Sequence, residues 1–381
     1  MQHTVSDPMG PGAGRVLMNG NAETPARFCA LGAQAAGPSR HREPALRSAD
    51  RVLIVTASWG RGELNDQPLR AGFAAQGRGP ADNLRLWTAM ASFLKERPVV
   101  QGLFSEHTSA FEQLCDAYAV ENDALTNTMR DAWARARSEL GIKHFPRLLN
   151  RGDRQVPGPP TRPVHHLIEH ALAQQVQRQV DALVNADDLR ANTLRELWAH
   201  FLLAAGLEFD GLWQEQRQVL QERLLRSSLI AIAGGDPSTL LTALRFFDLG
   251  GVFVEAVRRG AHVFGSSAGA MVLGQRVIIF HDRRLPRQEF LLLDNGLGLS
   301  RGVQIFPHVH DRLHTEDPFN LAYLSARFRH RLCVGLNAGS TLALQPHRGQ
   351  WRMWSAGDED LVVFGPDGNK LRAAPGKRIF T

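Results

Sequence analysis

The stretch AHVFGSSAGAMVLGQRV (residues 261–277) places a run of small residues between a short apolar segment and a second apolar segment that favours a helix. Small residues in a row weaken a fold unless close packing or a strained backbone requires them. The pattern predicts a buried strand that turns sharply into a helix. Its centre, GSSAG (265–269), fits G-x-S-x-G, in which such a turn exposes a serine hydroxyl. Ser267 is therefore a candidate nucleophile; the alternative is a strand–helix contact that needs small residues only for packing.

Length and composition favour a globular protein of two domains, or one domain with a large insertion. The chain has 381 residues, of which 43% are hydrophobic. It has no apolar run long enough to predict a membrane span and no N-terminal pattern typical of a secretory signal. The cysteines, Cys29, Cys115 and Cys333, are scattered, which indicates a reducing compartment rather than a disulfide framework. We therefore expect a cytoplasmic protein.

The formal charge of +6 comes mainly from arginines spread along the whole chain. A nucleic-acid-binding surface would show a block of basic residues or basic residues interleaved with aromatic ones. Because neither pattern occurs, we expect no nucleic-acid partner, and the lack of a long apolar run predicts no membrane partner.

Two kinds of pattern divide the chain. Short apolar runs that end in small residues, such as RVLIVTAS (51–58) and LIAIAGG (229–235), are typical of buried parallel strands. From about 61 to 224, apolar residues recur instead at spacings of three and four, which predicts amphipathic helices. We expect an α/β fold with a mainly parallel sheet flanked by helices and a large all-α insertion. The predicted regions are a disordered N-terminus (1–13), a discontinuous α/β domain (14–60 and 225–381) and the helical insertion (61–224).

A serine nucleophile needs a base, and the base needs a partner that orients it. Asp282 and His308 each follow an apolar run, so both are expected at strand ends. The order Ser267, Asp282, His308 also occurs in α/β-hydrolases, which makes an esterase a competing hypothesis. The short spacings count against an esterase, because an α/β-hydrolase needs further strands and helices between these residues.

Several motifs resemble the cyanophycinase and dipeptidase E family of serine peptidases, which has the class I glutamine amidotransferase-like fold. The resemblance covers roughly residues 14–60 and 228–364 and leaves the helical region unmatched. The motifs are GRVLMNGNAE (14–23), RVLIVTAS (51–58), IAIAGGDPSTLL (230–241), GSSAGAMVLG (265–274), GLGLSRGVQIFPH (296–308) and GLNAGSTLAL (335–344).

The resemblance implies roles for five residues of this chain. Ser267 would be the nucleophile, His308 the general base and later the acid, and Asp282 the acidic partner. The backbone N–H groups of Gly235 and Ala268 would form the oxyanion hole. The implied reaction is acyl transfer to serine followed by hydrolysis, with no metal and no cofactor.

The resemblance also implies a small acidic peptide as substrate, Asp-containing or β-aspartyl. A carboxylate on the substrate requires a cationic receptor. Arg312 matches an arginine that helps to hold the acidic substrate in cyanophycinase-like members, and Asp236 is a further candidate for substrate binding. Arg283 and Arg284 are candidates because they follow Asp282 in the sequence.

The sequence departs from the family at Pro237 and at Asn337-Ala338, where the family often has Gln or Asn and an acidic pair. These departures leave the identity of the substrate undetermined. A second hypothesis is a binding or assembly protein that keeps the fold without catalysis, with the helical insertion as its working part. That insertion could also cover the site or build a homodimer. HHLIEH (165–170) contains H-x-x-E-H, a zinc-protease pattern, but no second motif supplies a third ligand, so we expect no metal.

Overall fold

The computed structural model describes residues 13–35, 51–79, 81–140, 163–281, 289–347, 350–365 and 368–379. Strands and helices alternate on both sides of a long helical region. In chain order, the strands of the described residues are β1 (Val16–Asn19), β2 (Val52–Val55), β3 (Ala81–Asn83), β4 (Leu229–Ile232), β5 (His262–Ser266), β6 (Arg276–His281), β7 (Glu289–Asn295), β8 (Val303–Pro307), β9 (Leu332–Leu336), β10 (Thr341–His347), β11 (Gln350–Ser355), β12 (Leu361–Phe364), β13 (Lys370–Ala373) and β14 (Arg378–Ile379).

Helices alternate with these strands along the chain. Two further segments of the described residues, Ala57–Gly62 and Leu207–Phe209, form short 3-10 helices. Asp210, Asp236 and Asp317 each cap a following helix by accepting hydrogen bonds from its first N–H groups. The helices are α1 (Pro25–Ala35), α2 (Gln67–Ala75), α3 (Leu86–Glu96), α4 (Pro98–Leu140), α5 (Pro163–Ala204), α6 (Gly211–Leu225), α7 (Pro237–Phe246), α8 (Gly250–Arg258), α9 (Ala268–Leu273), α10 (Val309–Arg312) and α11 (Pro318–Arg327).

The central sheet has eight strands in the order β14-β11-β10-β1-β5-β4-β2-β3. β1, β5, β4, β2 and β3 are mutually parallel, and the other three strands join one edge antiparallel. Smaller sheets form from β13-β12-β9-β8 and from β6-β7. The predicted mainly parallel α/β fold is therefore confirmed. The carboxyl ends of parallel strands meet at one edge of the sheet, where α/β proteins place their chemistry.

Both faces of the central sheet are buried. Along β2, Leu53 and Val55 contribute to one core, whereas Val52 and Ile54 contribute to another. The first core is completed by α3, α6, α7 and α8, and the second by α1 and α2. This two-sided burial explains why the parallel strands are continuous apolar runs rather than alternating ones.

The helical region is a long antiparallel hairpin of α4 and α5. At 43 and 42 residues, the two helices are each about 60 Å long. Their pairing brings Tyr118 to Asp187 and His107 to Trp198. Side chains of both helices share a continuous apolar core with β6, β7, β8 and α11. Within the described ranges, no helix combines the length and apolar character needed to cross a membrane.

One strand within the predicted helical range 61–224 was not expected. β3 extends the parallel sheet by pairing with β2, with Ala81 opposite Val52 and Asn83 opposite Ile54. It lies at the edge of the sheet and consists of the three residues ADN, which form no apolar run. A strand this short and polar leaves no periodicity to detect. The predicted disordered segment 1–13 lies outside the described residues except for its last position.

Candidate active site

Ser267 occupies the sharp turn between β5 and α9, with a backbone conformation of φ 51° and ψ −115°. A non-glycine residue in this region carries strain of about 1–3 kcal/mol, which the surrounding structure must offset. The small residues on either side of Ser267 allow the close backbone packing that holds the turn. A Cβ atom on Gly265 would lie 2.5 Å from the carbonyl oxygen of Gly269, and one on Gly269 would lie 2.3 Å from that of Ile232. Helix α9 therefore packs backbone to backbone on the sheet, as an exposed nucleophile turn requires.

The two adjacent serines have different environments. The hydroxyl of Ser266 is buried, donates to Oδ1 of Asn19 at 3.2 Å and accepts from the N–H of Ala22 at 2.9 Å. The side chain of Ser267 is instead half-buried. Of the two, Ser267 is thus the one placed to react with a ligand.

The Oγ atom of Ser267 lies 2.8 Å from Nε2 of His308. His308 follows β8 in the four-stranded sheet and precedes α10, in the left-handed conformation φ 56°, ψ 44°. Its half-buried ring therefore reaches Ser267 from a neighbouring sheet. If Nε2 is the unprotonated ring nitrogen, this contact lets His308 accept the serine proton.

The environment of His308 favours the neutral imidazole. Burial lowers the pKa of His308 below its usual value, and the carboxylate of Asp311 partly opposes this shift. A neutral ring at neutral pH is the form that a general base requires.

Replacing Asp311 with asparagine is expected to lower the pKa of His308 further, because it removes the charge that raises that pKa. Only neutral His308 accepts a proton, so the acidic limb of the kcat/KM–pH profile should move to lower pH. The profile of Asp311→Asn, measured beside that of Glu316→Gln on the following loop, checks this shift. Movement to higher pH, or equal movement in both variants, would contradict it.

The turn after β4 lies against Ser267. A Cβ atom on Gly234 would be 3.1 Å from Cβ of Ser267. Gly235 has φ +136° and is exposed, and a Cβ atom there would lie 2.8 Å from the carbonyl oxygen of Ser58. Only glycine fits this position without strain. The predicted oxyanion-hole residues therefore flank Ser267, with Gly235 on the neighbouring turn and Ala268 at the first position of α9.

The segment after β2 fixes this turn. Ser58 donates its hydroxyl to the carbonyl oxygen of Gly234 at 2.7 Å and accepts the N–H of Asp236 on its own carbonyl at 3.0 Å. The indole Nε1 of Trp59 donates to the same Gly234 oxygen at 2.8 Å. These bonds orient the peptide units on both sides of Gly235. Ser58 and Trp59 were not among the predicted site residues, although their position directly after an apolar strand was a usable signal.

We expect Ser58→Ala to lower kcat about tenfold with little change in KM, because the turn keeps its bond to Trp59 but loses rigidity. Complete loss of one oxyanion donor costs more, about 10²–10³-fold. Ser227→Ala is the matched control, since its buried hydroxyl also bonds a carbonyl, at the opposite end of β4. Similar kcat values for Ser58→Ala and the wild type would refute the positioning role.

Two buried asparagines join the strands around the site. Nδ2 of Asn19 donates to the carbonyl oxygens of Ala338 and Ser340 at 3.0 and 2.9 Å. Oδ1 of Asn337 accepts the N–H of His310 at 3.1 Å, which fixes the first turn of α10 directly after His308. Asn337 therefore positions the segment that follows His308.

The structure describes only some of the other residues predicted for the site. Asp282, Arg283 and Arg284 lie outside the described residues. Arg312 is half-buried and donates its backbone N–H to the carbonyl of His308 at 2.8 Å. The exposed side chain of Asp236 accepts from the N–H and hydroxyl of Thr239 at 2.7 and 2.5 Å as the cap of α7.

The zinc-protease pattern can be followed only in part. The side chains of His166 and Glu169 lie outside the described residues, while His170 contacts Gln174 at 2.8 Å. In the part of the chain that the structure describes, no three His, Cys, Asp or Glu side chains are grouped to hold a metal ion.

Comparison with known proteins gives a match to one family model over part of the chain and matches to solved structures, one of which is described here. The crystal structure of a peptidase from an acI-B1 Actinobacterium aligns with 100% of this chain and 99% of its own, with 13% identity and a TM-score of 0.47. No curated protein matches the chain. Residues 190–350, which include both Ser267 and His308, match the model of Peptidase family S51.

Proposed function

We propose that this protein is a serine peptidase-like hydrolase that cleaves small acidic peptides through an acyl-enzyme. The observation that carries the proposal is the 2.8 Å contact between Oγ of Ser267 and Nε2 of His308 at a strained strand–helix turn. The match of residues 190–350 to Peptidase family S51 supports the same class of reaction.

In the proposed reaction, Oγ of Ser267 attacks the peptide carbonyl carbon while His308 takes the hydroxyl proton. The negative oxygen that develops receives hydrogen bonds from the N–H groups of Gly235 and Ala268. His308 then gives its proton to the leaving amine, and the C–N bond breaks. Water, deprotonated by the same imidazole, hydrolyses the ester and restores Ser267.

Two parts of the proposal rest on the sequence. Asp282 is proposed as the partner that accepts a hydrogen bond from Nδ1–H of His308 and so holds Nε2 unprotonated toward Ser267. Arg312 is proposed to pair with the substrate carboxylate, with Asp236 as a further contact in the turn that carries Gly235. The acidic substrate follows from the resemblance of the motifs described above.

Labelling with a fluorophosphonate tests the proposal before any substrate is known. We expect the probe to modify the wild-type protein at Ser267 and not to modify Ser267→Ala. Ser266→Ala is the matched control: it removes the adjacent hydroxyl, which is hydrogen-bonded within the fold, and should still be labelled. Absence of wild-type labelling, or labelling that survives Ser267→Ala, would refute the proposed nucleophile.

Turnover of a substrate panel separates the competing functions. Cleavage of Asp-X dipeptides or β-Asp-Arg with little cleavage of simple esters would favour the peptidase, and the reverse would favour an esterase. A labelled protein that turns over none of them would contradict the acidic-peptide substrate. A protein that is neither labelled nor active would favour the non-catalytic binding hypothesis.

A further inference from the structure

A cavity of about 310 Å³ lies where the helical hairpin meets the α/β domain. Its walls come from α3, α4, α5 and α7. Most of its apolar lining is aromatic, from Trp87, Phe104, Phe111 and Trp198. A cavity of about 150 Å³ holds a benzene molecule, and ligand pockets begin at about 300 Å³. The cavity is therefore large enough for one ring-bearing side chain.

Residues in the wall of the cavity also contact the segments that hold the candidate active site. Thr239 and Trp87 line it, and both lie 3.9 Å from the position that a Cβ atom would take on Gly60. The preceding residue, Trp59, bonds the carbonyl of Gly234, which contacts Ser267. Thr239 also bonds the Asp236 cap beside the predicted oxyanion turn. The cavity therefore lies beside the segments that form the predicted oxyanion turn.

The cavity is unsuited to acidic groups. His107 forms part of the lining, is 6% exposed and packs with its ring centroid 4.2 Å from that of Trp198. Burial lowers the pKa of His107 to about 4, so the ring is neutral at neutral pH. Glu112, an exposed residue of the lining, would repel a carboxylate. An acidic side chain is therefore a poor occupant, and a neutral apolar one is favoured.

We propose that this cavity is a subsite for the aromatic or large aliphatic side chain of the residue on the amine side of the cleaved bond. The inference rests on the proposed function, with the acidic residue placed on the acyl side as in the Asp-X dipeptides of the substrate panel, so that its neighbour is free to be apolar. The helical hairpin then takes part in substrate selection, since α4 and α5 supply half of the cavity walls.

Dipeptide kinetics test the subsite directly. We expect kcat/KM for Asp-Phe to exceed that for Asp-Gly by at least about tenfold, because apolar pockets discriminate by roughly 10- to 200-fold. Equal values for the two dipeptides, in a wild-type enzyme that cleaves both, would overturn the proposal.

A cavity-filling variant localises the effect. Thr108 is an exposed lining residue on α4, and Thr108→Trp should fill the cavity and bring the Asp-Phe to Asp-Gly ratio close to one. Ser105→Trp is the matched control: Ser105 is exposed on the same helix, its hydroxyl bonds the carbonyl four residues earlier as that of Thr108 does, and it lies outside the cavity lining. Ser105→Trp should keep wild-type labelling by a small fluorophosphonate. A ratio in Thr108→Trp that matches the control would overturn the assignment.

A binding measurement tests the cavity without depending on catalysis at Ser267. N-acetylphenylalanine amide should give saturation-transfer NMR signals with Ser267→Ala protein, which needs no catalysis. The signals should persist when Ser105→Trp is added and disappear when Thr108→Trp is added. If Ser267 is never labelled, the proposed function fails, while binding lost in Thr108→Trp still shows that the cavity holds an aromatic side chain. Absence of binding, or binding that Thr108→Trp does not change, would overturn the subsite.

Discussion

Replacing His308 with glutamine is expected to lower the rate constant for acylation of Ser267 by about 10⁴-fold or more, because loss of the base in a serine–histidine pair has effects of that size. Glutamine can keep a hydrogen bond near Oγ of Ser267, but its amide does not accept a proton at neutral pH. The serine then attacks as a neutral hydroxyl. The second-order rate constant of fluorophosphonate labelling, and kcat where a substrate has been found, both measure this loss.

His310→Gln provides the matched comparison. His310 is an exposed residue of α10 whose backbone N–H, not its ring, bonds Asn337. This variant should keep labelling within a few-fold of the wild type, as surface substitutions usually do. Equal losses in His308→Gln and His310→Gln would indicate damage to α10 rather than loss of a base. Near wild-type labelling of His308→Gln would refute the role assigned to His308.

Much of the edge of the fold that carries the candidate site was predictable from the sequence because its signals are local. Gly265, Ser267 and Gly269 lie within one pentapeptide, and Gly265 packs against Gly269 inside the same strand–turn–helix unit, although Gly269 itself packs against Ile232 of β4. The Gly234–Gly235 turn is equally local. His308 was recognisable because it follows an apolar strand, and the structure brings it to 2.8 Å from Ser267.

The residues that hold this edge together were not predictable, because their partners lie far away in the sequence. Asn19 bonds Ala338 and Ser340 across more than 300 residues, and Ser58 bonds Gly234 across 176. A buried asparagine or serine is chemically the same residue as an exposed one in a loop, so only the tertiary structure reveals that its hydrogen bonds are fixed. The position of the helical hairpin was unpredictable for the same reason.

A buried ionic cluster fixes the hairpin to the α/β domain. The guanidinium of Arg327, on α11, is fully buried and bonds both carboxylate oxygens of Asp187, on α5, at 2.8 and 2.6 Å. Its other bonds reach the hydroxyls of Tyr118 and Tyr323 at 2.7 Å and the carbonyl of Phe290 at 2.6 Å. These contacts use all five N–H donors of the guanidinium. The cost of burying the charge is therefore matched by partners from both parts of the molecule.

Arg327→Met is expected to destabilise the protein by about 3–5 kcal/mol, because it leaves the carboxylate of Asp187 buried without its cation. Unfolding in urea should shift to lower concentration, and amide exchange should increase first in α4 and α5. The double variant Arg327→Met/Asp187→Leu should recover part of the loss, because an apolar pair of suitable size often replaces a buried ion pair at little cost. This recovery would distinguish an unpaired charge from simple loss of packing.

Asp188 offers the control on the same turn of α5. Its carboxylate is 55% exposed and pairs with Arg276 at 2.6 Å, so Asp188→Asn should cost no more than about 1 kcal/mol. Asp187→Asn, by contrast, leaves the Arg327 guanidinium buried without its counter-charge and should approach the effect of Arg327→Met. The difference between these two neighbouring substitutions measures burial, because residue type and helix are the same. If both variants unfold at the same urea concentration, the cluster is not what fixes the hairpin, and the apolar contacts of α5 with β7 and α11 must do so instead.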